Sequence, residues 1–159
     1  MNIANADDNY IARISEINRY TQNYLDKRYK AYGLNGFQHV YVTLVYRNPG
    51  IMQKELQDYL FLNPSNVTRT ISYLEHIGYL KRVRDERDKR IWKLYPTEKA
   101  KQYYQEIVDI FDGWKKDVLF NFTEEERDNL TIYLNRMKEN LLKSDEIYKE
   151  IYKNTTEKL

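Results

Sequence analysis

The sequence predicts a mainly α-helical fold with one small β-wing, and three observations predict it. Between Leu62 and Lys101 a capped helix runs into two short extended segments, separated by the charged tip Asp85-Glu86-Arg87-Asp88-Lys89. Apolar residues recur at spacings of three and four through most of the rest of the chain, the signature of amphipathic helices. Turn-forming residues (Gly33, Asn48-Pro49-Gly50, Gly78) fall between these periodic runs, where they separate helices.

In chain order, Ile11, Ile14, Ile17, Tyr24 and Leu25 mark a first helix over residues 9–32, ended by Gly33. A second covers Phe37–Arg47 and stops at Asn48-Pro49-Gly50. Met52, Leu56 and Leu60 mark a short third helix, with Phe61-Leu62-Asn63 as the turn out of it. The fourth opens well: Asn63 is a good N-cap, and Pro64 suits the first helical position because it lacks an N–H that would have no partner there. Val67, Ile71 and Leu74 form its apolar face, while Ser65, Thr68, Arg69, Ser72 and His76 share another. Gly78 ends it as a left-handed cap. Extended runs around Leu80–Arg84 and Arg90–Tyr95 then form a two-stranded ribbon. Thr97 caps a long fifth helix carrying Ala100, Tyr104, Ile107, Phe111, Trp114 and Val118. Thr123-Glu124-Glu125-Glu126 is a capping box that opens a sixth. Its stripe is Leu130, Tyr133, Leu134, Met137 and Leu141, running toward Ile147 and Ile151. This is the outline of a winged helix-turn-helix.

A chain of 159 residues can bury the core of one ordinary domain. It contains no Cys, which excludes disulfides, thiolate zinc sites and thiol redox switches. No apolar run reaches membrane-span length, and the N-terminus, with Asp7 and Asp8, lacks an apolar signal core. A cytoplasmic protein without membrane contact is expected. Net charge is only +2, but residues 36–95 hold 10 Lys and Arg against 6 Asp and Glu, whereas residues 96–159 hold 11 against 14. A polyanion would therefore be drawn to the middle of the chain and repelled by its end.

The middle segment resembles the MarR family of transcriptional regulators. The residues carrying the resemblance are Leu74-Glu75-His76-Ile77-Gly78 at the recognition-helix end, then Arg82, Asp85, Asp88-Lys89-Arg90 and Thr97-Glu98 along the wing. Gln53 and Leu56 match the family's helix that props the recognition helix. The match is detailed over residues 34–101 and rests on helix order alone elsewhere. Lys89, Pro96, Ala100 and His39 depart from the family's usual residues. The resemblance implies three parts: residues 1–34 and 97–159 as helices that interlace with a second copy in a homodimer, and residues 35–96 as the DNA-binding lobe. Helices at 9–32, 97–119 and 123–152 are indeed longer than a small lobe needs. A single-chain helical cap is the alternative. Lack of Cys also sets this chain apart from the family branch that senses peroxide through a thiol.

Candidate site residues follow. On the recognition helix Ser65, Asn66, Thr68, Arg69 and Ser72 carry the hydroxyls, amide and guanidinium that reach phosphates and base edges. Arg69 suits a bidentate guanine contact or a phosphate clamp; an ordinary solvent-facing Arg is the bland alternative. In the wing, Arg87, Lys89 and Arg90 suit a narrow minor groove. Asp88, two residues before Arg90, is placed to orient its guanidinium, and the family resemblance implies that Arg90 makes the groove contact. A solvated tip with local ion pairs is the alternative there. Arg82 and Arg84 are read as reaching backbone phosphates from the strand. The 16 Tyr suggest either helix packing or an apolar crevice for a small, anionic aromatic ligand among Tyr24, Arg28, His39, Tyr41 and Tyr104, with Arg13 and Arg19 nearby. For His39 a satisfied core His is the favoured reading over a ligand contact.

No Gly-rich phosphate loop, Cys nucleophile or metal-spaced His and carboxylate set appears, so neither catalysis, cofactor nor metal is expected. The expected function is sequence-specific binding of double-stranded DNA at a palindromic operator, as a repressor. The rival is a winged-helix module for protein–protein contacts, which would show no salt-dependent DNA binding.

Overall fold

The computed structural model describes residues 9–60 and 62–144. The expectations for Asp7, Asp8, Phe61, Ile147 and Ile151 lie outside the described residues. Helix α1, Tyr10–Tyr29, starts where the Asn9 side chain accepts the Ala12 N–H (3.0 Å). Its final turn tightens into a 3-10 turn, Lys30–Tyr32, and closes on Gly33, whose φ of +71° is a left-handed conformation that favours glycine. Helix α2 is Gln38–Arg47. Both the backbone and side-chain amides of Asn48 donate to Leu44 C=O, at 2.9 Å each, which ends it.

The ribbon differs from expectation. Gly50 (φ +89°) turns the chain so that Ile51–Met52 forms a short strand, β1, paired antiparallel with Leu94 and Lys93. The sheet therefore has three strands in the order β1-β3-β2, with β2 at Leu80–Arg84 and β3 at Trp92–Pro96. A two-residue strand is too short to show a period-2 pattern, so the sequence read Met52 as helical. Arg90 likewise lies in the turn, not in β3. Helix α3 is Gln53–Leu60, and the Glu55 carboxylate accepts the Met52 N–H (2.9 Å) at its start.

Helix α4, Pro64–His76, has the Asn63 cap and N-terminal Pro that the sequence implied. Gly78 is left-handed (φ +80°). Thr97 caps α5, Glu98–Val118, by accepting the Ala100 N–H. The capping box at Thr123 forms: Thr123 N–H donates to Glu126 Oε2 (2.8 Å) and Glu126 N–H to Thr123 Oγ1 (3.3 Å), opening α6, Glu124–Ser144.

The core sits where α2, α3, α4, the sheet and the first half of α5 converge. Val42, Val45, Leu56, Val67, Ile71, Leu74, Leu94 and Ile107 are fully buried there. Tyr29 anchors α1 to this core, donating its hydroxyl to Ile107 C=O (2.9 Å). Beyond that anchor the apolar stripes lose their cover. On α1, Ile11 is 81% exposed; on α6, which has no buried residue, Leu141 is 67% exposed. Among the described residues no helix is long and apolar enough to cross a membrane.

Candidate nucleic-acid interface

Burial of Val67, Ile71 and Leu74 fixes the rotation of α4, and so leaves Ser65, Asn66, Thr68, Arg69, Ser72 and His76 exposed. Asn63 Oδ1 accepts the Ser65 N–H (2.9 Å), so the first turn is organised without using the Ser65 or Asn66 side chains. Gln53 Nε2 donates to Thr68 Oγ1 (3.1 Å), which leaves the Thr68 hydroxyl proton free to donate outward. The Arg69 guanidinium is solvent-facing and has no ion-pair or hydrogen-bond partner among the described residues. The pattern in the sequence marks Gln53 as a prop but carries no signal for this contact, which joins positions 15 apart that only the α3–α4 crossing brings together.

The wing is held by Asp85. Its Oδ1 accepts the N–H groups of Arg87 (2.8 Å) and Asp88 (3.0 Å), and its Oδ2 pairs with Lys93 Nζ at 2.7 Å. The Lys93 ammonium, followed by the two backbone N–H donors, holds this carboxyl far below the usual carboxylate range. Asp88 in turn accepts the Arg90 N–H (2.9 Å) and its guanidinium (3.2 Å and 3.3 Å), which also lowers its pKa. The Arg90 side chain remains 91% exposed, so Asp88 aims the guanidinium without hiding it. Arg87 and Lys89 are exposed at the same tip.

Two residues differ from the sequence reading. Arg82, expected on phosphate, is half-buried and donates from Nε and Nη2 to Glu75 Oε2 at the end of α4 (2.8 Å and 2.6 Å). Arg84 donates to Lys89 C=O (3.1 Å) and stacks 4.7 Å above the Trp92 ring. Both cations tie the wing to itself and to α4. The reason is register: antiparallel pairing sets Arg84 opposite Trp92, and the return of β2 past α4 sets Arg82 beside Glu75. The Arg82 contact also holds the Glu75 carboxyl below its ordinary value.

A carboxylate whose folded pKa is depressed stabilises structure above its unfolded pKa, about 4, and loses that contribution as pH falls through the folded value. The wing's Arg87 and Asp88 amides should therefore stay protected from hydrogen exchange at pH 4 and lose protection only well below it. Asp85→Ala, which removes the accepting oxygen, should remove the protection at every pH. Equal exchange rates in the two proteins at pH 6 would refute this role of Asp85.

The five expected ligand residues do not form one crevice. His39 is buried between the rings of Tyr29 (4.9 Å) and Phe111 (5.5 Å), and its Nδ1–H donates to Gly36 C=O (2.6 Å). Burial lowers its pKa. Tyr41 is packed in the core, and Tyr104 stacks on Tyr46 (3.7 Å) while accepting from Arg47 Nε (2.8 Å). Tyr24 alone of the five lines a cleft of about 280 Å3 between α1 and α5, with Ile17, Tyr20, Thr21, Trp114, Asp117 and Val118. Tyr24 donates to Asp117 there (2.7 Å), and Arg28 lies 3.4 Å over the Tyr24 ring. Tyrosines that look alike in sequence thus go to separate packing sites, because each points where its own helix face dictates.

A model of the MarR family matches residues 34–92. The chain is 29% identical over 140 residues to an uncharacterized HTH-type transcriptional regulator, YybA, of Bacillus subtilis (strain 168), covering 88% of this chain and 93% of that protein. Its structure is similar to that of a MarR transcriptional regulator from Methanosarcina mazei Go1, with 34% identity, a TM-score of 0.75, and coverage of 84% of this chain and 96% of that one. It is also similar to a putative MarR family transcriptional regulator from Listeria monocytogenes, solved in complex with 26mer DNA: 28% identity, TM-score 0.79, coverage 90% and 93%.

Proposed function

The chain belongs to the MarR family of transcriptional regulators, and from that premise we propose that it binds a palindromic operator in duplex DNA as a cytoplasmic homodimer and represses by occupying a promoter. Residues 35–96 form the DNA-binding lobe; residues 1–34 and 97–159 form the dimerisation helices. Helix α4 enters the major groove and presents Ser65, Asn66, Thr68, Arg69 and Ser72. The wing tip presents Arg87, Lys89 and Arg90, with Asp88 setting the angle of Arg90. Arg82 and Arg84 hold the wing in place. The observation that carries this reading is the contrast in how the cations are used. The inner pair is engaged by Glu75, Trp92 and Lys89 C=O, while Arg69 faces solvent without a partner among the described residues.

The test is a DNA titration at several salt concentrations. Affinity should fall linearly on a log–log plot against salt, with a slope of about −0.9 per phosphate contact. Binding should be tightest on an inverted repeat whose half-site centres lie about one helical turn apart. A flat salt response would favour the rival protein-interaction module, and equal affinity for random duplex would remove the operator.

Control by a small aromatic ligand completes the proposal. Its site is the α1–α5 cleft, walled by Tyr20, Tyr24 and Trp114. The Asp117 carboxylate in that wall disfavours the anionic compounds that Arg13, Arg19 and Arg28 had suggested, so a neutral or cationic aromatic fits better. A ligand shifts DNA binding only through unequal affinity for the two states, and linkage makes the effect reciprocal. Compound and operator should weaken each other's binding by the same factor, about 5- to 150-fold. Unchanged operator affinity across a panel of aromatic amines and phenols at saturation would assign the cleft to packing.

A further inference from the structure

Helix α1 and helix α4 both end on left-handed glycines, Gly33 and Gly78, and two phenols tie these ends together. At the first end, Gly33 N–H takes the Lys30 carbonyl and Leu34 N–H takes the Tyr29 carbonyl. The carbonyls of Tyr32 and Gly33 then fall beyond the helix, with no helical donor left for them. Tyr73, in the last turn of α4, donates its hydroxyl to Gly33 C=O at 2.9 Å. Tyr79, just after Gly78, donates to Tyr32 C=O at 3.0 Å. Ile77 fills the space between, 4.0 Å from where a Gly33 Cβ would stand. Tyr73 is 41% exposed, so burial of its ring is a small part of what it does. Its oxygen crosses to an element 40 residues away.

We infer that Tyr73 and Tyr79 are positioning residues, a pair of struts that set the angle of the recognition helix against α1 and thereby the operator spacing the dimer prefers. The inference rests on the operator-binding reading for its second half. Residues 34–37 are the covalent link between α1 and the lobe, and one backbone segment leaves several torsions soft. Leu25 and Tyr29 hold α1 against α5, and two hydrogen bonds from different points of the lobe to adjacent carbonyls add the tie between the α1 end and the recognition helix. An operator with the wrong half-site spacing then requires bending the junction against both.

The experiment removes one oxygen. Tyr73→Phe keeps the ring and leaves Gly33 C=O to water, so melting temperature should change little. Because the chain has no Cys, spin labels can be placed at Lys27→Cys on α1 and Lys54→Cys on α3, with labelled protein diluted in unlabelled so that only intramolecular distances count. The parent should give one narrow distance distribution, and Tyr73→Phe a broader one. On DNA, the parent's preference for the best inverted repeat over one lengthened by a base pair should shrink about three- to tenfold in the variant. A general loss of stability would lower both affinities equally and leave that ratio intact. Tyr79→Phe should act in the same direction. An unchanged ratio with an unchanged distance distribution overturns the inference. If the parent shows no spacing preference, the operator reading fails and the label distances alone decide the struts: broadening upholds them, and no change removes them.

Discussion

Replacing Arg69 and Arg90 together with alanine abolishes site-specific DNA binding while leaving fold and oligomeric state intact. The two side chains sit on different elements, one on α4 and one at the wing tip, and neither is buried. Their separation makes the losses close to additive. Each good base or groove contact is worth about 1–3 kcal/mol, so the pair removes about 2–6 kcal/mol, roughly a thousandfold in affinity at mid-range. Removing two cations also flattens the salt dependence by up to about two phosphate equivalents. The single variants separate the roles. Arg90→Ala should weaken all tight sites alike, because a narrow minor groove is read by width and potential. Arg69→Ala should change which sequences bind best if it reads a base. Anisotropy titrations on a small set of operator variants, with thermal melts as the fold control, give both results. A double variant that binds within fivefold of the parent would falsify the assignment of these two residues to DNA.

Those residues were legible in the sequence for a definite reason. Val67, Ile71 and Leu74 set a helical period, and a helix with one buried face must expose the other, so Ser65, Asn66, Thr68, Arg69 and Ser72 could be placed without coordinates. The caps at Asn63, Thr97 and Thr123 were equally readable, since each is a local bond spanning two or three residues. Contacts that depend on register or on helix crossing were not. Arg82 looked like a surface cation until the path of β2 placed Glu75 beside it. Strand β1 was invisible because two residues cannot show a period, and its partner lies 43 residues on at Leu94. That the five expected ligand residues lie in separate places has a related reason. Tyr24, Tyr41 and Tyr104 share a residue type but not a helix face, and a count of aromatic residues carries no direction.

The second large effect concerns the helices that the lobe does not cover. On α6, Tyr133 and Leu134 are each 52% exposed and Met137 is 40% exposed, with Leu141 beyond them. These positions recur at three and four, so they form one stripe, not scattered surface residues. On α1, Ile11, Ile14 and Ile17 form another. Two apolar stripes on long helices, one on α1 away from its buried Leu25 and Tyr29 and one on α6, which buries no residue, are what a domain-swapped or interlaced dimer would bury. Leu134→Asp combined with Met137→Asp should therefore give a monomer of about 19.4 kDa, the mass of the chain. The charge acts by position: a carboxylate placed in a desolvated interface without a partner costs several kcal/mol, and the two-fold axis doubles each substitution. The lobe should remain folded, because Leu134 and Met137 are exposed and the buried core contains no α6 residue; the wing amides and the α4 helical signal report on that directly. Operator binding should fall to that of one recognition helix on one half-site, losing the preference for an inverted repeat while keeping the salt dependence of a single lobe. Sedimentation at micromolar protein checks the first outcome, and titration on a half-site and a full site checks the second. If parent and double variant both sediment as dimers, the apolar stripe of α6 lies outside the interface and the α1 stripe must carry the association; a parent that sediments at 19.4 kDa removes the dimer itself.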